Sequence, residues 1–368
     1  MKIHILDPGL TDISGHHFDM DRRIARGLLV AGHDVYVYGH AQASDRVMRT
    51  LQELGGASRL FRATPYLIPD SVDDFAGELI AYTGQSRLLQ ADLRQLPSAD
   101  MWIWPTIVPA QLHACAEVAG EAVVVGCVHA DPGVSQRTTG AMLWRHALVE
   151  ARTRGVRHVL GTIERELRHR FMPIVPNKIF PLFPYPADGA PIPAVRTTLG
   201  RIGIFGHQRQ EKGANCLNGL INRMLRAGYE VVVHDSGGKL PPVDHPKLSV
   251  LGYVDDLAAE IGKCDLVVMP YDIAGYDVHG SGILMESAAS GVPVVGPFST
   301  LPGRIVEEYG IGTLFMECTE DAIFDAVLAA HRDFARYAQA AFQISRRWRQ
   351  VHGTDQLAAA LLRAYAAA

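Results

Sequence analysis

The segment Gly206-His207-Gln208-Arg209-Gln210-Glu211-Lys212-Gly213 follows an apolar run, Ile202 to Phe205, and precedes a stretch whose apolar residues recur at helical spacing. A loop between a strand and a helix start presents unpaired backbone N–H groups and the positive end of the helix dipole, and both favour an anion. Arg209 adds a guanidinium that can grip phosphate oxygens in a fork, and Lys212 adds a mobile point charge. Together they suit a diphosphate. A solvated basic loop beside a helix start has the same composition, so this motif alone leaves both readings open.

A second segment runs from Tyr276 to Val295. Gly280 and Gly282 allow a ligand close to the backbone, and a helix beginning near Ser281 offers the amides of Gly282, Ile283 and Leu284 to an anion. Glu286, about one turn inside, can accept hydrogen bonds from ribose hydroxyls. Gly291 and Pro293 end the helix before a buried strand. An amphipathic helix closed by a glycine accounts for Gly291 but not for the two glycines ahead of it.

In the first half, Ser14-Gly15-His16-His17 lies between the strand Ile3 to Leu6 and a helical pattern through Ile24, Ala25, Leu28 and Leu29. His129 ends the apolar run Ala122 to Val128. Open α/β sheets place their sites at the carboxyl ends of strands, which is where these histidines fall. A glycine turn with two exposed histidines, and a buried structural histidine, are the competing readings.

The elements that must position these residues alternate. Short apolar strands at Ile3 to Leu6, Asp34 to Tyr38, Met101 to Trp104, Ala122 to Val128 and Val156 to Leu160 are separated by helical patterns. The stretch Phe183 to Thr198 carries Pro184, Pro186, Gly189, Pro191 and Pro193, a density of breakers expected of a linker. The alternation then restarts with strands at Arg201 to Phe205, Glu230 to His234, Leu248 to Leu251, Asp265 to Met269 and Val292 to Val295. Such patterns specify parallel sheets covered by helices, here as two doubly wound α/β halves. The division expected is 1–188, a linker at 189–199, 200–345, and a helical segment 346–368.

Composition bounds the function. The 368 residues exceed what one core usually supports, and 48% hydrophobic with 20% charged residues is globular. A net charge of -4 lacks the footprint of a nucleic-acid binder. Arg152, Arg154, Arg157, Arg165, Arg168 and Arg170, with His158 and His169, form a local basic zone that could meet anionic lipid or a phosphorylated acceptor, although a solvated helix face is the commoner explanation. The five cysteines are scattered, which suggests neither a zinc site nor a disulfide framework. Met1 and Lys2 lead directly into a strand and no apolar run nears the length of a membrane span, so a cytoplasmic protein is expected, with peripheral contact to the inner face of the membrane allowed.

The second half resembles the retaining GT-B glycosyltransferases of the family 4 type. The resemblance rests on G-x-x-R-x-x-K-G at Gly206 to Gly213, Leu251-Gly252-Tyr253-Val254, the strand ending in Pro270-Tyr271, and S-G-I-L-x-E-S-A-A-S-G-V-P-V-V from Ser281, and it covers most of residues 200–316. It implies two facing Rossmann-like domains, with the donor bound mainly by the C-terminal one and a C-terminal helix packing back on the N-terminal one. It also implies that Arg209 and Lys212 hold the leaving diphosphate, that Glu286 holds the ribose, and that Gly15 and His16 lie near the donor. His129 would then sit beside the transferred sugar. These enzymes often carry a first glutamate where this chain has Val278, so Asp277 or His279 becomes the candidate sugar contact. The activity implied is transfer of a sugar from a nucleoside diphosphate sugar, as co-substrate, to a glycan, lipid-linked or small-molecule acceptor, with no cofactor and no metal. A noncatalytic nucleotide-sugar-binding protein, and an epimerase or sugar-phosphate synthase on the same scaffold, are the alternatives. A nicotinamide-dependent dehydrogenase is disfavoured, because Asp7 to Gly15 lacks G-x-G-x-x-G.

Overall fold

The structure is a computed structural model that describes residues 1–13, 16–64, 75–130, 132, 140–175, 180–190, 194–206, 212–235, 237–238, 240, 244–276 and 280–368. It divides into two units, Met1–Pro186 with Thr354–Ala368, and Ala187–Gly353.

In the first unit the order is β1 (Lys2–Leu6), α1 (His16–Val30), β2 (Asp34–His40), α2 (Asp45–Leu54), β3 (Ala57–Phe61), α3 (Phe75–Leu93), β4 (Met101–Trp104), α4 (Pro109–Val118), β5 (Val123–Cys127), α5 (Gly140–Thr153), β6 (His158–Gly161) and α6 (Arg165–Phe171). The strands form one parallel sheet in the order β3-β2-β1-β4-β5-β6. The chain works outward from β1 in one direction and then resumes at β4 on its other side. That reversal opens a crevice at the carboxyl ends of β1 and β4, where sheets of this kind bind ligands. Both faces are covered, so the strands are apolar along their whole length: Val123, Val124 and Val125 of β5 are all fully buried.

The second unit repeats the plan with β7 (Arg201–Ile204), α7 (Ala214–Arg226), β8 (Glu230–His234), β9 (Leu248–Leu251), α8 (Leu257–Gly262), β10 (Leu266–Val268), α9 (Gly282–Ala289), β11 (Val294–Pro297), α10 (Leu301–Tyr309), β12 (Gly312–Phe315), α11 (Glu320–Arg332) and α12 (Phe334–Val351). Its parallel sheet runs β12-β11-β10-β7-β8-β9, so the reversal lies between β7 and β10.

The proline-rich stretch is fastened to the second unit. Arg196 donates to three carbonyls, those of Cys264 at 2.9 Å, Gly291 at 2.8 Å and Gly262 at 2.7 Å. The amide of Ala190 donates to Ser290 Oγ at 2.9 Å. Gly189, at φ +68, lies against Ala289, whose carbonyl oxygen stands 2.3 Å from where a Cβ would be, so only glycine fits there. Helix α12 packs on α9, and Trp348 donates its indole N–H to Ala187 O at 2.8 Å. The final helix, α13 (Thr354–Ala366), belongs to the first unit and packs on α1, β5 and β6. Leu357, Ala358 and Leu361 thereby join Ile24, Ala25 and Leu28 in one core.

Candidate functional site

Two groups of residues stand at the two crevices. In the second unit, Gly206 lies two residues past β7 with φ +101, and Lys212 and Gly213 lead into α7. Gly213 caps α7 in the left-handed conformation, φ +75, pressed so closely on Pro270 that a Cβ would lie 1.9 Å from its carbonyl oxygen. That contact ties the turn to the end of β10 and returns the Lys212 side chain toward β7. Lys212 Nζ lies 3.4 Å from the Cβ position of Gly206 and 5.4 Å from the ring centre of Tyr271. A larger residue at 206 would fill the space above the strand end that the ammonium faces.

Tyr271 is the pivot of this group. Its ring is fully buried, stacks on Tyr276 at 4.5 Å between centroids, and its hydroxyl lies 3.1 Å from Ser281 Oγ. Burial pushes the phenol up to about 12, so it is a neutral hydrogen-bonding group. Ser281 caps α9, accepting from Leu284 N at 3.3 Å. Of the three amides the sequence nominates, Leu284's is therefore engaged by the cap. Those of Gly282 and Ile283 remain in the first turn, where no preceding helical carbonyl faces them. The Ile283 side chain comes within 3.6 Å of the Cβ position of Gly206, so the N-terminus of α9, Lys212 and the end of β7 converge on one place. Glu286 follows one turn later and is buried. A cation, a helix N-terminus and a buried carboxylate in that order match a diphosphate followed by a ribose.

In the first unit, Asp7 directly follows β1 and is completely buried. Asp7 Oδ2 faces His17 Nδ1 at 2.7 Å, and its Oδ1 accepts the Gly9 amide at 2.8 Å. His17 and Asp21 lie one turn apart on the buried face of α1. Asp21 is fully buried beside Asp7, and burial first, then the Asp7 charge, hold its carboxyl well above the ordinary range. The exposed His16 ring lies on His17 with centroids 4.1 Å apart and stands 6.2 Å from the ring of His129. His129, half-buried just past β5, bonds through Nε2 to Pro105 O at 2.9 Å. The histidines at the ends of β1 and β5 thus form one imidazole surface over a buried carboxyl pair.

Lys212, Ser281, Gly282, Ile283, Leu284 and Glu286 are gathered in the second unit, and His16 and His129 in the first. Gly15, Arg209, Asp277 and His279 lie outside the described residues, as does Val278. Motif reading gave no role to Tyr276, Asp7 and Asp21, and it quoted Tyr271 and His17 only as parts of longer motifs. For His17 and Asp21 a signal was present: two polar side chains on the apolar stripe of α1, at i and i+4. Among the described residues no three acidic, histidine or cysteine side chains are grouped to hold a metal ion, and no helix is long and apolar enough to cross a membrane.

No family model matches the chain. A stretch of 82 residues is 38% identical to the GDP-mannose:glycolipid 4-beta-D-mannosyltransferase of Xanthomonas campestris pv. campestris, covering 22% of each protein. The match therefore spans about a fifth of the length of that curated relative. Solved structures agree over the whole length at low identity. Anabaena HepE in complex with UDP superposes with a TM-score of 0.67 at 14% identity, covering 100% of both chains. Sucrose-phosphate synthase from Thermosynechococcus elongatus gives 0.67 at 12%, covering 100% of this chain and 98% of that one. The glycosyltransferase SnogD from Streptomyces nogalater gives 0.62 at 19%, covering 99% of each. With its two parallel six-stranded sheets and this agreement from end to end, the chain has the GT-B fold.

Proposed function

We propose that the protein is a glycosyltransferase that moves a sugar from a nucleoside diphosphate sugar to an acceptor hydroxyl with retention of configuration and without a metal ion. The observation that carries this reading is the convergence of Lys212 Nζ, the glycine strand end at Gly206 and the N-terminus of α9. As the bond to the sugar breaks, negative charge grows on the leaving diphosphate. A fixed ammonium and the helix amides of Gly282 and Ile283 stabilise that charge without reorganising, which is the work metal ions do elsewhere. Arg209 supplies a second cation and Glu286 holds the ribose. His129 orients the transferred sugar, with His16 beside it, and Asp277 or His279 takes the place of the glutamate that Val278 replaces. The resemblance to the family 4 enzymes supports retention. The glycolipid mannosyltransferase supports a glycan or lipid-linked acceptor, and the HepE complex with UDP supports a nucleotide donor.

The test is a panel of UDP, GDP, ADP and TDP sugars with glycan and lipid-linked acceptors, with the product anomer read by NMR. One donor should be consumed only when acceptor is present, with its anomeric configuration kept. Lys212→Ala should lower turnover by about a hundredfold or more while the fold persists. Donor binding with no transfer to any acceptor would instead favour the noncatalytic reading, and an inverted product would overturn retention.

A further inference from the structure

Beside the turn that carries Lys212 lies a pair of thiols that glycosyl transfer does not use. Gly213 and Pro270 are pressed together there, and each of their carbonyls receives a cysteine. Cys216, in the first turn of α7, directs its Sγ to Gly213 O at 3.3 Å. Cys318, between β12 and α11, directs its Sγ to Pro270 O at 3.2 Å. The two thiols also lie within hydrogen-bonding reach of each other. Two cysteines far apart in the sequence are thus brought together where the chain leaves β7, β10 and β12. From that contact the sulfurs need only a short approach to the about 2.05 Å of a disulfide.

The five cysteines are free thiols, and they differ in reactivity. The thiolate is the nucleophile, so a thiol that keeps its proton is inert. Cys115, Cys127 and Cys264 are buried, and burial pushes the first two up to about 12 and the third to about 11. Cys318 is the one cysteine of the five that is not buried. Its thiol is also held below the ordinary range, because Cys216 can donate to its sulfur, and this outweighs the opposing effects of burial and Asp272. The same hydrogen bond, reinforced by burial, keeps the proton on Cys216. An accessible thiol that ionises first, with a protonated neighbour in contact, is the arrangement of an attacking and a resolving cysteine.

We propose that Cys216 and Cys318 are a peroxide-reactive pair that closes to a reversible disulfide beside the Lys212 turn. The Cys318 thiolate attacks one peroxide oxygen, the O–O bond breaks, and hydroxide leaves Cys318 as a sulfenic acid. The sulfur of Cys216 then attacks that of Cys318, the S–S bond forms as the S–O bond breaks, and the departing hydroxide takes the Cys216 proton as water. The thiols lose two electrons and the peroxide gains them. Closure removes the sulfur donor from both carbonyls and draws the first turn of α7 toward the segment that follows β12. Lys212 precedes Gly213 and Tyr271 follows Pro270, so both site residues shift with their neighbours. The grip on a diphosphate therefore weakens, a consequence that rests on the donor reading above.

The full chain, reduced and then freed of reductant, is treated with hydrogen peroxide and its peptides are mapped by mass spectrometry. A link between Cys216 and Cys318 should form with the loss of two hydrogens, and dithiothreitol should reverse it. Cys216→Ser should leave Cys318 as a sulfenic acid that dimedone traps, and Cys318→Ser should give no adduct. By calorimetry, the oxidised chain should bind UDP or GDP about tenfold or more weakly than the reduced one. Oxidation that stops short of a link, a link through Cys115, Cys127 or Cys264, or a link that dithiothreitol cannot open overturns the proposal. A mapped link that leaves nucleotide affinity unchanged overturns its effect on the site. Failure of both forms to bind either nucleotide would count against the donor reading, while the mapped link would still support the thiol pair.

Discussion

His17 Nδ1 and Asp7 Oδ2 lie 2.7 Å apart at the end of β1, in a place where Asp7 is wholly screened from solvent. A carboxylate there can accept a hydrogen bond from Nδ1–H, which favours the tautomer carrying its proton on Nδ1 and holds the ring in one orientation. The ring it orients is the one on which His16 rests.

Replacing Asp7 by asparagine keeps the shape but removes a pure acceptor. Asp7→Asn should reduce transfer by about a hundredfold or more, with little change in the melting temperature. Nitrogen-15 NMR of His17 should show its proton moving from Nδ1 to Nε2. An unaltered tautomer together with lost activity would show that Asp7 acts by some route other than His17.

Asp21 makes stability depend on pH. Its folded carboxyl is raised, so the native chain keeps a proton that the unfolded chain releases above about pH 3.9. The folded state then binds more protons, and stability falls as pH climbs from that value toward the raised one. Asp21→Asn removes this term. In urea titrations the variant's midpoint should decline less than the wild type's over that range, and parallel curves would contradict the assignment.

Gly213→Ala places a Cβ 1.9 Å from Pro270 O in a left-handed turn, and should destabilise the fold by about 2–4 kcal/mol. Donor binding should weaken too, because the turn that carries Lys212 must shift. Gly228 has φ +91 with nothing within 4 Å, so Gly228→Ala should cost only about 1 kcal/mol. Similar costs at both sites would mean that the Pro270 contact is immaterial.

Arg196 ties three carbonyls with one planar group, and burial lowers its proton affinity without discharging it. Arg196→Ala should cost about 3 kcal/mol by chemical denaturation. Arg196→Lys should recover less than half, since an ammonium cannot span that fork. Full recovery by lysine would point to charge alone.

How far the sequence reveals this molecule varies by element. The valine-rich strands β5 and β8 announce themselves, because burial on both faces demands unbroken apolar runs. In contrast β3, with the sequence Ala-Ser-Arg-Leu-Phe, gives only a faint alternation at the edge of its sheet. Helix α3 leaves no period because its exposed side is apolar as well, with Leu79, Ile80 and Leu88 all open to solvent. At the site, Lys212, Ser281 and Glu286 are legible because their spacing is local. Tyr271 is not, since its role comes from Gly213 resting on Pro270, a contact made across more than fifty residues.

The placement of α13 bears on how the chain is made. The first unit consists of residues up to Pro186 and again from Thr354, and Gly27 of α1 is so close to α13 that a Cβ would meet Ala358 Cβ at 2.9 Å. During synthesis the whole second unit leaves the ribosome before Leu357 and Leu361 do. Until then, Ile24 and Leu28 lack the helix that covers them. The nascent first unit therefore carries an open apolar seam for the time it takes to translate residues 187–353, at roughly 5–20 residues per second. Arrested chains that stop short of α13 should be the forms that chaperones hold.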